Sequence, residues 1–370
     1  MSNKIRVAHL TSVHGRFDIR IFRKMLTSLA GKYNASLIVA DGEGDNTTDN
    51  IDIFDVGLPT NRLSRMFKTV RKIYDKALEL NAEIYHIHDP ELIPIGMKLK
   101  KKGKVVIFDA HEDLPKQLRS KPYLNKALKW LLPKLFEVYE AIACKKLDAI
   151  ICATPSIYNK FLKINKQSYT INNFPILGEL DNSLGWSNKV NEICYVGGMA
   201  EIRGIRELVH SLKYLDNCRL HLVGRFSEPE LEKELKGLTQ WTKVVEHGFV
   251  DRKGVADILS RCKAGVVTFH KVPNHVDAQP NKMFEYMSAG VPVIASHFPM
   301  WKDIIEGENC GICVDPMKPE DIANAINKLL SDDKLAKQMS ENGANAVKNV
   351  FNWENEEIKL LDIYQGFLEK

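Results

Sequence analysis

Gln279-Pro280-Asn281-Lys282-Met283-Phe284-Glu285 sets a cation and a carboxylate close together at the opening of a helical stretch. Pro280 suits a helix start, where its missing N–H costs nothing. The first turn leaves backbone N–H groups free, and with Asn281 and Lys282 beside them that helix end suits an anion. Well upstream, Gly197-Gly198 makes a turn that a ligand can approach closely, and Arg203-Gly204 leads into the next helix. Arg203 and Lys282 would then surround a diphosphate from two sides and stabilise it as a leaving group, at the place where charge develops. Glu285, one turn deeper, would accept ribose hydroxyls, and Asp277, eight residues before it, would face sugar hydroxyls. Phe249 and Val250, at a strand end, would flank a base. The first half adds Gly15, where a sugar can approach the backbone, Arg16, placed to touch phosphate or acceptor, and His111, just past a strand end. Each has an ordinary reading too: a lone Gly-Gly turn is common, a single arginine usually sits at the surface, and a strand-end histidine can tie down a loop. Asp89 and Glu91 read as helix caps. Asp109, Glu112 and Asp113 bring no convincing ligand set. Fixed cations already neutralise phosphate, so neither a metal nor a cofactor is expected.

These residues sit after apolar runs that alternate with amphipathic ones, the pattern of parallel sheets with helical crossovers. Strands are expected at residues 4–10, 35–40, 53–56, 83–88, 104–109 and 148–153, with helices over 19–31 and 62–80 between them. A second such series starts at 192–196 and continues through 219–224, 244–247, 264–268, 291–295 and 311–314, with helices between. The chain closes with helices over 333–348 and 353–368. The fold expected is α/β, with two doubly wound domains, and polar residues gather after strand ends, where such sheets bind ligands. Asn172-Asn173-Phe174-Pro175 and the stretch after Gly178 read as the link between the halves.

At 370 residues the chain is long for one core. Its composition, 44% apolar and 27% charged, is that of a globular protein. No run is long and apolar enough to cross a bilayer. The first strand begins almost at once, with no apolar leader ahead of it, so a cytoplasmic location is expected. Seven scattered cysteines fit reduced thiols, and Cys310-Gly311-Ile312-Cys313 reads as core thiols, with no second pair to complete a metal site. The net charge of +5 is unevenly placed: residues 1–180 carry +10 and residues 181–370 carry −5. Between Lys116 and Lys146, Tyr123, Leu124, Leu128, Trp130, Leu131, Leu132, Leu135 and Phe136 interleave with Lys116, Arg119, Lys121, Lys126, Lys129 and Lys134. Helices broken near Pro133 are expected, with a basic aromatic surface suited to an anionic membrane face. No nucleic-acid recognition module appears.

Tyr195-Val196-Gly197-Gly198 through Arg203-Gly204, Gly248-Phe249-Val250, residues 277–296 and the terminal Trp353-Glu354 helix resemble the retaining GT-B glycosyltransferases of family 4, the group 1 transferases. The resemblance covers nearly the whole chain. Residues 11–22 and Asp109-Ala110-His111-Glu112 are similar to a subgroup found with capsule and surface-polysaccharide synthesis. It implies an acceptor-binding Rossmann-like domain over 1–175, a linker over 176–190, a nucleotide-sugar domain over 191–348 and, over 349–370, a helix crossing back to the first domain. The family's Glu-x7-Glu pattern falls on Asp277 and Glu285, so the first acid is one methylene shorter here. The family arginine falls on Gly198 and is absent, its lysine falls on Arg203, and its acceptor loop and cleft histidine correspond to His14-Gly15-Arg16 and His111. The implied activity is transfer of a hexose or N-acetylhexosamine, with retention, from a UDP-type nucleotide sugar to a polyprenyl-diphosphate-linked saccharide at the inner membrane face. A GT-B sugar-nucleotide epimerase and a non-catalytic nucleotide-sugar-binding or membrane-assembly subunit are the alternatives.

Overall fold

Runs such as Ala35-Ser36-Leu37-Ile38-Val39 and Ala149-Ile150-Ile151-Cys152 are apolar or small without alternation, as strands covered on both faces must be, and the computed structural model buries every one of these residues. The structure describes residues 4–120, 125–180 and 185–369. The chain divides into two units, Met1–Asn173 with Asn355–Lys370, and Phe174–Glu354.

In the first unit, β1 (Arg6–Leu10), β2 (Asn34–Val39), β3 (Asn46–Thr48), β4 (Ile51–Asp55), β5 (Ile84–Ile87), β6 (Val105–Ala110), β7 (Ala149–Cys152) and β8 (Ser168–Thr170) form one sheet in the order β3-β4-β2-β1-β5-β6-β7-β8. All pairings are parallel except β3 with β4. The second unit holds β9 (Val190–Val196), β10 (Arg219–Val223), β11 (Val244–Gly248), β12 (Cys262–Val267), β13 (Val293–Ser296) and β14 (Gly311–Val314), all parallel, in the order β11-β10-β9-β12-β13-β14. In each sheet the chain starts in the middle and winds outward both ways, so strand order reverses beside β1 in one and β9 in the other. The crevice at the carboxyl ends of these strands is where open α/β sheets take ligands. The closing helix Trp353–Gln365 starts at the end of the second unit, and from Asn355 onward it belongs to the first. There Tyr364 is wholly buried, with its hydroxyl against His9 of β1 and His86 of β5.

Two local expectations change. The helix Lys126–Cys144 runs unbroken through Pro133: proline removes one N–H from the ladder, and the bonds on either side carry the helix past it. Lys121, Tyr123 and Leu124 lie outside the described residues. The stretch read as a linker packs into the second unit, where Leu180 is buried in the core and the buried Lys189 ammonium bonds the carbonyls of Leu259 and Cys262 at 3.1 and 2.9 Å; residues 181–184 lie outside the described residues. The acidic loop after β2 contains β3, turned back onto β4 through Asp49 and Asn50 at positive φ (54° and 60°), the geometry of a tight hairpin.

Asp18 caps the helix Ile19–Leu26, accepting from the Arg20 and Ile21 N–H groups at 2.9 Å each and facing His14 Nδ1 at 3.2 Å. Burial pushes this carboxyl up, but the His14 imidazole and the Ile21 N–H outweigh it and hold it at about 2, against an ordinary 3.8. A depressed carboxyl stabilises the folded state above its unfolded value and loses that stabilisation as pH falls through the folded one. Asp18 should therefore contribute about 2 kcal/mol that disappears between about pH 4 and pH 2. Urea unfolding across that window should fall less steeply in Asp18→Asn than in the wild type; equal slopes would remove Asp18 from the acid transition.

Candidate functional site

β9 runs out at Val196, and the next residue turns sharply: Gly197 has φ +122°, and a Cβ there would lie 2.9 Å from Lys282 Nζ. A Cβ on Gly198 would lie 2.8 Å from Arg203 Nη1, which bonds the Gly198 carbonyl at 2.9 Å. The glycine turn thus stands where two cationic side chains arrive, one from the segment after β9 and one from the helix Asn281–Ser288. That close fit is made on both sides, since Gly204 (φ +73°) packs its backbone on Thr268 at the end of β12, where a Cβ would fall 1.8 Å from the carbonyl oxygen.

Lys282 is buried, and its Nζ has no hydrogen-bond partner. It lies 3.7 Å from the centroid of the Tyr195 ring and 5.3 Å from that of Phe269. Burial and then the Arg203 charge hold the amine well below an ordinary lysine, with Glu285 opposing them. The hydroxyl of Thr268 and the amide oxygen of Gln279 are buried without partners as well. A buried polar atom with no partner costs about 1–3 kcal/mol, so this arrangement fits a ligand that supplies acceptors to the lysine and donors to the oxygens.

Glu285 does not stand alone. Arg252 Nη1 reaches its Oε1 at 2.8 Å, while Nη2 of the same arginine reaches Glu179 Oε2 at 2.6 Å. Arg252 and Glu179 were missed from the sequence, where nothing ties residues so far apart. Arg252 occupies one oxygen of Glu285 and leaves the other for a hydroxyl. Asp277 and Asn281 are half-buried, in the turn before the helix and in its first residue. Val250 packs partly against the core, whereas Phe249 is 78% exposed, open to lie against a planar ring.

Gly15, Arg16 and His111 belong to the first unit. Gly15 is exposed, with open space where a side chain would be. Arg16 departs from its expected part: its guanidinium is buried and given to Asp41 through Nε at 2.8 Å and Nη2 at 2.6 Å, with Glu43 and the Gly44 carbonyl beside it. It fastens the loop after β2 and is not presented to a phosphate. His111 follows β6, its ring edge-on to His14 with centroids 5.1 Å apart, its Nδ1 buried without a hydrogen bond. Both histidines line a cavity of about 880 Å³ at the carboxyl ends of β1, β5 and β6. Asp89 and Glu91 are there too, but they serve the loop after β1: Asp89 accepts from the Ser12 N–H and the Thr11 hydroxyl, and Glu91 pairs with Arg65 at 2.7 Å. Much of the remaining wall is apolar, with Met66, Phe67, Leu132, Leu135 and Phe136, and Arg62, Arg65, His88, Asp109, Glu112 and Gln117 supply its other polar groups. Among the described residues no helix is long and apolar enough to cross a membrane.

Comparison with known proteins agrees with this division. Residues 178–346 match a family model described as glycosyl transferases group 1, and residues 20–174 one described as glycosyltransferase family 4. The capsular polysaccharide biosynthesis glycosyltransferase CapM of Staphylococcus aureus is 29% identical over 189 residues, 48% of this chain and 47% of that one. The chain spans about half the length of such curated relatives. Sucrose-phosphate synthase from Thermosynechococcus elongatus superimposes with a TM-score of 0.80 at 17% identity, over 99% of this chain and 100% of that one. Alr3699/HepE of Anabaena, solved with UDP and glucose, does so at 0.74 and 15%, over 98% and 100%. At such identities the likeness is one of fold.

Proposed function

We propose that this chain, a GT-B-fold glycosyltransferase whose two units match the group 1 and family 4 models, transfers a hexose or N-acetylhexosamine, with retention, from a UDP-sugar to a lipid-linked saccharide in surface-polysaccharide synthesis. The observation that carries the donor half is the convergence of Arg203 and the unpartnered Lys282 on the Gly197-Gly198 turn. In this reading the two cations take the diphosphate and stabilise the negative charge that grows on it as the bond to the sugar's anomeric carbon breaks. The acceptor oxygen bonds that carbon from the same face, and its proton passes to the departing phosphate. Glu285 holds the ribose, Asp277 and the N–H groups beside Asn281 meet the sugar and phosphate, and Phe249 with Val250 flanks the uracil. The protein supplies orientation and charge, so the transfer itself calls for no metal. UDP is the favoured donor nucleotide, in keeping with the complex of Alr3699/HepE.

The acceptor half rests on the first unit's cavity, where His14 and His111 stand at one part and apolar side chains line much of the remainder. A free sugar gains little from such a wall, whereas a polyprenyl chain gains about 25 cal/mol for each Å² it buries. Nearby, the helix Lys126–Cys144 leaves Trp130, Leu131, Leu135, Val138 and Ile142 exposed, with Lys134 Nζ 4.0 Å over the Trp130 ring. An apolar helix face edged with lysines fits the anionic inner surface of the cell membrane and supports a peripheral position for the enzyme there.

The test is donor first, acceptor second. UDP-sugars should raise the melting temperature, with a stabilisation of about 2.7 kcal/mol at a hundredfold excess over Kd, and addition of polyprenyl-diphosphate saccharide should yield a product with the donor's anomeric configuration. An altered sugar nucleotide formed without acceptor would replace transfer by epimerisation. Binding with neither hydrolysis nor transfer across a broad acceptor set would make the chain a binding subunit.

A further inference from the structure

Beneath the closing helix lies a fully buried cluster of three imidazoles, of which only His88 also borders the first unit's cavity. His9 of β1 stands in register with His86 of β5, and His88, two residues on, points to the same side. The three ring centroids are 4.6, 4.6 and 4.9 Å apart, and one ring nitrogen from each lies within 4.8 Å of those of the other two. Following the protons through the cluster exposes a deficit. The Asp109 carboxylate, already paired with Arg20, has no proton to give, so His88 Nδ1 donates to it at 3.0 Å. His88 Nε2 then carries a lone pair and accepts from His9 Nδ1 at 2.8 Å. His9 Nε2 in turn accepts from the Tyr364 hydroxyl at 3.1 Å, and the Tyr364 oxygen accepts from His86 Nδ1 at 2.7 Å. The chain ends at His86 Nε2, a buried lone pair with no partner.

We propose that His9, His86 and His88 bind a divalent transition-metal ion, zinc by preference, which ties β1 and β5 to the closing helix. A His-x-His pair on one strand with a third histidine on its neighbour brings three imidazoles to one point, and neutral imidazole suits zinc. The outer contacts are those metal-bound histidines ordinarily make. With His9 in its other tautomer, His88 donates to Asp109, His9 and His86 both donate to the Tyr364 oxygen, and the remaining nitrogen of each ring turns to the ion. Zinc–nitrogen bonds of about 2.0–2.1 Å put ligand nitrogens about 3.3 Å apart around a tetrahedral ion, so small ring movements close the site, with water as fourth ligand. The ion would be structural and does not depend on the sugar-transfer reading.

Metal analysis of the full-length protein, stripped with chelator and reloaded with zinc, should find about one equivalent per chain and a raised melting temperature. Cobalt in place of zinc should give the visible bands of a tetrahedral nitrogen site. His86→Gln should abolish those bands, whereas His247→Gln, in a histidine pair of the second unit, should leave them intact. If His86→Gln fails to fold, zinc-edge X-ray absorption on the wild type decides, with three imidazoles expected in the first coordination sphere. No bound metal, cobalt bands that survive His86→Gln, or fewer than three imidazoles would overturn the site.

Discussion

Lys282→Met is expected to lower kcat/KM by about 10²-fold or more while leaving the fold at least as stable as before. The two halves of that outcome have one cause. Lys282 Nζ is buried, makes no hydrogen bond and lies against the Tyr195 and Phe269 rings. A methionine side chain suits those rings and removes a buried amine that makes no hydrogen bond. Turnover suffers because the same amine is one of two cations at the glycine turn, and removing one group that stabilises developing charge ordinarily costs about 10²–10³-fold. Arg203→Gln should act in the same direction, and the pair together should lose less than the product of the single effects if both serve one diphosphate, as proposed. Lysine also leaves a signature that a merely structural side chain would not. Burial and Arg203 hold the amine well below its ordinary value, and a diphosphate would supply the missing counter-charge, so UDP-sugar binding should take up a proton. Calorimetry in two buffers of different ionisation enthalpy reads that uptake directly, and in Lys282→Met it should vanish. Unchanged turnover in Lys282→Met would take the donor out of this pocket.

The glycine turn and the two cations were legible because each is a local signal. Gly197-Gly198 and Arg203 follow directly on an apolar strand, and Lys282 sits at a marked helix start, so the sheet's winding alone carries them to the same crevice. Side-chain direction was not legible in this way. Arg16 reads as open beside Gly15, but the structure turns it onto Asp41, 25 residues further on. Glu285 reads as a lone carboxylate, but it is met by Arg252, 33 residues away in the chain, which also holds Glu179. The histidine cluster is the extreme case. The alternation of His86 and His88 puts both on one face of a strand, yet its partners are His9 on a neighbouring strand and Tyr364, 278 residues beyond His86. Pro133 fails in the other direction: a helix breaker by propensity, it is overridden by the helix around it.

Arg20→Met is the substitution from which the first unit should suffer most, with a loss of about 3–5 kcal/mol in unfolding free energy. The guanidinium is buried and bidentate on Asp109, Nε to Oδ2 at 2.8 Å and Nη2 to Oδ1 at 2.6 Å, with Nη1 on the Ile171 carbonyl at 2.9 Å. Asp109 itself is wholly buried. Burial pushes its carboxyl up, and Arg20, with His111 and His88, outweighs burial to hold it well down, so it folds as the anion. Removing the arginine leaves that anion without its counter-charge in a place water does not reach. Asp109→Leu is the converse case, a buried guanidinium with its counter-charge gone, and should cost a similar amount. The pair's net worth is smaller than either loss, because two charges had to leave water to form it, and Arg20→Met with Asp109→Leu should recover much of what each single substitution gives up. Equilibrium unfolding of the four proteins checks this. Single losses below about 1 kcal/mol, or a double variant whose loss is the sum of the two, would mean that the pair is not the desolvated unit its geometry describes. Function should follow stability only in part: the double variant regains the fold, but Asp109 also accepts from His88 Nδ1 at 3.0 Å and stands 3.7 Å from His111 Nδ1. Leucine can do neither, so the rescued protein should remain poor in sugar transfer, and wild-type transfer in it would remove Asp109 and His111 from the reaction.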